Sequence, residues 1–246
     1  MDDIFLNINI KSTDNNFTDD KSTDDKNIVD KNTEKKPKKI YMDRLFPKCN
    51  NVNINNLKID NESVFYITVP QDSKKIAMAI SKQLEIFKDP KTATIIDATA
   101  GVGGDSITFC NYFGYVISIE IDDDRFENLK SNLSEYKFDN STVINSDCII
   151  TMPKIQHFDV IYMDPPWGGR EYKTKQNLRL TMNNIEIETI IANSFDKSMN
   201  LCIPKLFVLK LPKNYDLKYM FDKLSYKMNL YLYEMKKINI IIIVEK

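Results

Sequence analysis

The chain has little histidine, no paired cysteines, no surplus of charge and no long apolar run. Cys49, Cys110, Cys148 and Cys202 stand far apart, whereas zinc sites and disulfide frameworks show close spacings. With His157 as the sole imidazole, a histidine-built metal centre is also disfavoured, and the cysteines read as reduced thiols of an intracellular protein. Thirty-four Lys and Arg stand against 35 Asp and Glu, a net charge of −1, so any attraction to a nucleic-acid backbone must come from a local patch. No segment approaches the length that spans a bilayer. The opening residues carry acids where a secretory signal carries positive charge. The expectation is an intracellular protein, cytoplasmic or nuclear, monomeric, with neither membrane nor metal.

What is present is ordered along the chain. A length of 246 residues with 42% hydrophobic content supplies one domain of ordinary size plus an extension. From Lys11 to Lys39 the sequence is Asp, Asn, Lys, Ser and Thr with almost no apolar residue, too little to offset the entropy of ordering. Residues 1–39 are therefore expected to form a disordered polar tail, ending in a solvated "KKPKK" charge run. Aromatic and aliphatic residues return between Ile40 and Val69 without a clear period, as an accessory segment. After Pro70 a helix is predicted, with Asp72 as its cap and Ile76, Ile80, Leu84 and Phe87 on one face. Asp89-Pro90 closes it and ends the accessory unit, residues 40–90.

From residue 91 onward the runs "TATIID", "YVISIE", "STVINSD", "FDVIYMD" and "KLFVLKLP" read as strands. Helices are predicted over Asp105 to Tyr112, Asp122 to Tyr136 with Phe126, Leu129 and Leu133 inward, Ile185 to Asn200, and Asp216 to Ser225. The closing runs "LYLYEMK" and "INIIIIVE" are joined by a few residues, which predicts an antiparallel hairpin at the sheet's end. The fold class is α/β: a mostly parallel seven-stranded sheet with helices on both faces.

Chemistry collects at the strand ends. "TIIDATAGVGGDSITF" places Asp97 at a strand's carboxyl end, follows it with Gly101, Gly103 and Gly104, and begins a helix near Asp105. In an open parallel sheet ligands sit at such edges, and glycines let backbone approach them closely. Acids flanking the loop repel phosphate and attract a cation such as a methionine ammonium. The next strand ends in Glu120, suited to ribose hydroxyls, and the third in Ser146-Asp147, suited to an adenine amino group. Three successive strand-end acids fit S-adenosylmethionine better than NAD.

The fourth strand delivers "VIYMDPPWGG", with the chain's only tryptophan. Pro165-Pro166 stiffens the turn and removes two N–H donors, so the Asp164 carboxylate can orient an exocyclic amine while Trp167 stacks on its ring. Such an amine is a weak nucleophile because its lone pair is delocalised. Holding it in line with a sulfonium methyl is the main task, and Asp164 reads as an orienting acceptor rather than an obligatory base.

"DATAGVGGDSITF", "SIEIDDDRF", "NSDC" and "DPPWGGREY", in this order, resemble the trimethylguanosine synthases, which methylate guanine-N2 of a 7-methylguanosine cap. The resemblance extends to "YMDRLF…LKIDNESVFYITVP" and "LKLPKN", from about Tyr41 to the C-terminus. It implies a Rossmann-like class I methyltransferase domain over residues 91–246 that uses S-adenosylmethionine. It also implies a donor site of Asp97, Ala98, Gly101, Gly103, Glu120, Ile121, Asp147 and Asp164, with Asp164, Pro165 and Trp167 at the reaction centre. On the substrate side it implies Trp167 stacked on the 7-methylguanine, Lys213 on the cap phosphates, and Arg44, Lys58 and Thr68 as further contacts. The partner implied is capped RNA or a cap analogue. Two positions depart from the family. Asp164 stands where it has Ser, an acid shared with adenine-N6 methyltransferases, and Thr68 matches the accessory motif imperfectly. An adenine-N6 or other base-amino methyltransferase on DNA or RNA is the alternative, a cap-binding adaptor the non-catalytic one. The number of methyls added, and a cellular or viral source, stay open.

Overall fold

A computed structural model describes residues 9–10 and 39–246 of the chain. Seven strands carry the fold: β1 Thr94–Asp97, β2 Tyr115–Glu120, β3 Ser141–Asn145, β4 Val160–Met163, β5 Leu206–Pro212, β6 Met228–Glu234 and β7 Ile238–Glu245. They lie in the order β3-β2-β1-β4-β5-β7-β6. The first five are parallel, and β7 inserts antiparallel between β5 and β6. The closing hairpin is thus as expected, and its second strand is the inner one. Asn9–Ile10 pairs in parallel with Tyr231–Leu232 outside β6. The rest of the polar segment expected as a tail, 1–8 and 11–38, lies outside the described residues.

The order reverses between β1 and β4, one running toward β2 and β3, the other toward β5. The crevice outside the carboxyl ends of these two strands is where open α/β sheets bind ligands. β5 is buried at every position and β4 likewise, as central strands covered on both faces require.

Eight helices flank the sheet among the described residues: α1 Lys39–Leu45, α2 Ser63–Tyr66, α3 Pro70–Leu84, α4 Gly104–Cys110, α5 Asp123–Glu135, α6 Cys148–Thr151, α7 Ile187–Ser194 and α8 Leu217–Leu224. One core joins Ile76, Ile80 and Leu84 of α3 with Phe109, Phe113 and Leu129. The other joins Ile187 and Ile191 of α7 with Met220 and the second face of the sheet. The accessory segment belongs to the first core through Met42, Leu45, Phe46 and Leu57. It is pinned by Asn132, whose amide donates to Lys58 O at 2.8 Å and Val102 O at 2.9 Å and accepts from Lys58 N at 2.7 Å.

Three sequence expectations shift. α3 starts at Pro70, preorganised for a helix's first position, so Asp72 lies in the first turn and favours the helix dipole rather than capping it. Phe87 falls beyond the end of α3 and is 46% exposed, because the helix stops before the apolar period reaches it. Residues 185–200 are not one helix. Asn183 and Asn184 take left-handed φ of 50° and 62°, the pattern of a tight hairpin turn, so Thr181–Met182 pairs with Ile185–Glu186 before α7 begins.

Candidate active site

Each of the first four strands brings an acid to the same edge, and the four are satisfied in different ways. Glu120 ends β2, 8% exposed. Its Oε2 accepts from the Gly101 N–H at 2.7 Å and its Oε1 from the Asp122 N–H at 2.9 Å, so it braces the glycine loop from across β1 and β2. Asp147 follows β3 and caps α6, accepting from Ile149 N at 2.8 Å, while its second oxygen takes the Asn183 amide. Gly101 has φ +54°, and the position of its absent Cβ meets nothing within 4 Å. Gly103, at φ +98°, is the left-handed N-cap of α4. Ala98 is buried and donates its N–H to Tyr162 O at 2.8 Å. Ile121, beside Glu120, is 63% exposed, an apolar surface left at the edge.

Asp97 ends β1 and is 1% exposed. Its Oδ2 accepts from Ser106 Oγ at 2.6 Å, and Ser106 accepts from Ser118 Oγ at 2.8 Å. Its Oδ1 is buried without a hydrogen bond of ordinary geometry, although the Thr99 N–H lies close enough to favour the ionised form. Burial, and then the charge of Asp105, push its carboxyl up to about 8, so it holds a proton in neutral solution. Asp105, read as an acid flanking the glycine loop that repels phosphate, turns inward and is buried. Its Oδ2 accepts from Thr68 Oγ1 at 2.6 Å and the Tyr162 hydroxyl at 2.9 Å.

Asp164 follows β4, its backbone N–H donating to Thr99 Oγ1 at 2.8 Å. Its side chain is 22% exposed and accepts, through Oδ2, from Lys210 Nζ at 2.6 Å. Burial raises the Asp164 carboxyl, and Lys210 opposes the rise. Burial by itself lowers the affinity of Lys210 for its proton. Asp164, Asp105 and Asp97 more than reverse that, so Lys210 stays charged. Pro165 is buried and Pro166 exposed. Trp167 is half-buried, set edge-on against Tyr172 with ring centres 5.1 Å apart and with Lys210 Nζ 5.7 Å from its own ring. Its indole nitrogen is buried without a hydrogen bond of ordinary geometry, yet lies close enough to Asp164 to favour that group's ionised form. Gly168 and Gly169, at φ +89° and +67°, turn the chain away into the helical turn Gly169–Thr174.

The four candidates for phosphate contact fall in different places, and Lys58 is exposed with its backbone held by Asn132. Thr68 is buried, its hydroxyl donating to Asp105 and accepting from Lys210 Nζ at 2.7 Å. Lys213 is tied to the closing hairpin, Nζ to Asn239 Oδ1 at 2.7 Å and Glu234 Oε1 at 3.3 Å. Arg44 is exposed beside a cavity of about 440 Å³ that it lines with Asp43, Lys48, Phe46, Val69, Pro70 and Gln71.

Lys210, Tyr162 and Asn132 had no place in the sequence reading. Lys210 did leave a trace, since a lysine inside the apolar run "KLFVLKLP" sits where a central strand rarely tolerates charge without a partner. Among the described residues no cluster of His, Cys, Asp and Glu could hold a metal ion, and no helix is long and apolar enough to cross a membrane.

A family model described as RNA cap guanine-N2 methyltransferase matches residues 92–246. A protein of Acanthamoeba polyphaga mimivirus is 32% identical over 219 residues, covering 81% of this chain and 83% of its own. The trimethylguanosine synthase of Schizosaccharomyces pombe is 37% identical over 123 residues, 48% of each chain. Among solved structures, a human methyltransferase 10 domain containing protein superposes with TM-score 0.50 at 14% identity, over 79% of this chain and 86% of that one. The tRNA methyltransferase TrmI of Aquifex aeolicus does so with TM-score 0.50 at 13% identity, over 73% and 70%. At these identities the two structures speak for the fold.

Proposed function

This chain belongs to the RNA cap guanine-N2 methyltransferase family, and from that premise we propose that it moves a methyl group from S-adenosylmethionine to the N2 amine of a 7-methylguanosine cap on RNA. The residues at the edge suit that donor. The Oδ1 of Asp97, short of an ordinary hydrogen bond, wants a donor group, the loop at Gly101 leaves open space, and Ile121 offers an exposed apolar surface next to Glu120. When bound, the donor supplies an electrophilic methyl on a positively charged sulfur. Asp97 faces its ammonium and gives up its own proton as that charge arrives. Glu120 takes the ribose hydroxyls, and Asp147 the adenine amine.

On the acceptor side, Asp164 accepts a hydrogen bond from the N2 amine and turns its lone pair toward the methyl. Trp167 stacks on the purine. N7-methylated guanine is cationic, so the indole gains on the order of 0.5–2 kcal/mol beyond ordinary stacking. The amine's proton leaves after transfer. The cavity where Arg44 and Lys48 outnumber Asp43 is the candidate seat for the cap phosphates, with Lys213 a second contact. Similarity to a giant-virus protein over most of both chains supports a viral setting.

The observation that carries this reading is the delivery of Asp164 and Trp167 by one proline-stiffened turn at the end of β4, beside Asp97 at the end of the neighbouring strand. The test offers labelled S-adenosylmethionine with m7GpppG and, separately, with an adenine-containing oligonucleotide. Label in the capped dinucleotide, on guanine-N2 by mass analysis, is expected. The acid at Asp164 favours adenine-N6 chemistry as the second reading, and label in the oligonucleotide alone would establish it instead.

A further inference from the structure

The buried charge that the methyl-transfer scheme leaves without a task is Lys210. It rises from the middle of β5, its side chain 6% exposed, and it faces acids from three elements: Asp164 after β4, Asp105 on α4 and Asp97 on β1. It bonds two oxygens, Asp164 Oδ2 at 2.6 Å and Thr68 Oγ1 at 2.7 Å. Thr68 is the last buried residue before α3 and hands its own proton to Asp105. One ammonium therefore joins the reaction turn to the accessory segment, which is otherwise separate in the chain.

A largely buried carboxyl beside another acid tends to take up a proton, and then it competes as a donor instead of accepting from an amine. A fixed cation reverses that preference. It also leaves the second carboxylate oxygen for another donor. We propose that Lys210 is a positioning residue for methyl transfer, holding Asp164 as an oriented anion and, through Thr68, making that orientation depend on the seating of the accessory segment. The proposal rests on the reading of Asp164 as the amine's acceptor.

Trp167, the sole tryptophan, lies beside both Asp164 and Lys210 and serves as a built-in reporter. The groups facing Asp164 are Lys210, Asp105, Asp97 and Tyr162, so the Asp164→Asn chain marks which part of a fluorescence titration belongs to Asp164. In full-length Lys210→Met that part is expected to move upward by about one pH unit or more. Its kcat on m7GpppG is expected to fall about tenfold or more near neutrality and to recover toward alkaline pH, with donor affinity little changed. A folded, donor-binding Lys210→Met with the wild-type midpoint and wild-type pH profile would overturn the proposal. Thr68→Val keeps the ion pair and removes the hydroxyl that links Lys210 to Asp105. Lowered kcat with little shift of the midpoint is expected, and unchanged kcat removes the accessory link. The fluorescence arm needs no acceptor, so a wild type that methylates no cap refutes the substrate while the midpoint still decides Lys210.

Discussion

The donor end and the acceptor turn of this site lie at one sheet edge and are built on opposite principles. At the donor end Glu120 and Asp147 are held largely by backbone amides close in sequence. Glu120 holds amides 19 and 2 residues away, and Asp147 an amide 2 residues away. At the acceptor turn the partners come from the whole chain, Lys210 to Asp164 across 46 residues and Lys210 to Thr68 across 142. The first arrangement needs only two neighbouring strands and their loops in place. The second exists only when the accessory segment, β4 and β5 are already packed, which makes it the more easily lost.

The largest test of this contrast is Trp167→Ala. Stacking of a base on an aromatic ring is worth about 1–3 kcal/mol, so cap affinity is expected to fall by roughly 5- to 150-fold and kcat/KM with it. The dissociation constant for S-adenosylmethionine should stay near wild type in calorimetry. Equal loss of both would make the indole a packing element of the whole edge. Glu120→Ala should act the other way round. It frees the Gly101 and Asp122 amides, hydrogen bonds to a charged group being worth about 1.5–3 kcal/mol, and is expected to weaken donor binding roughly 10- to 100-fold before it affects cap binding.

Gly104→Ala probes the seam between the two ends. A Cβ there would lie 2.6 Å from Ile67 Cγ1 and 3.3 Å from Thr68 O, so α4 must separate from the accessory segment. A stability loss of about 1–3 kcal/mol is expected in denaturant titration, partly restored by Ile67→Ala. No restoration would place the strain elsewhere. The last test is read from pH. Asp97 is held at about 8 against an ordinary 3.8, so between those values the folded chain keeps a proton that the unfolded chain releases, and stability falls as pH rises. Asp97→Asn should flatten that fall, gaining on the wild type in melting temperature at alkaline pH and least near pH 4. Parallel melting curves against pH would mean the carboxyl is ionised in the fold.

Much of the fold was legible because strand ends and turn residues carry local signals. Val160 to Met163 is an apolar run ended by Asp164-Pro165-Pro166, and the structure ends β4 there. Asp122 caps α5, accepting from Arg125 N at 2.9 Å, one residue from the expected start. The failures are instructive in the same terms. The run from Ile185 has helical period, but Asn183-Asn184 forms a tight turn that commits its first two residues to a hairpin. Asp105 reads in the sequence only as an acid flanking the loop, because nothing nearby in sequence announces Tyr162 or Thr68 as its donors.

The sequence by itself determined the alternation of strands and helices, the acid at each strand end, the glycine loop and the stiff turn bearing Trp167, because these depend on residues within a few positions of one another. Tertiary structure alone decided which acids remain at the mouth and which turn inward, that Thr68 lies under the site rather than on its surface, and that a lysine in the middle of β5 meets Asp164. A charge can stay in a dry interior only beside its partner, and that partner is chosen by how the sheet and the accessory segment pack.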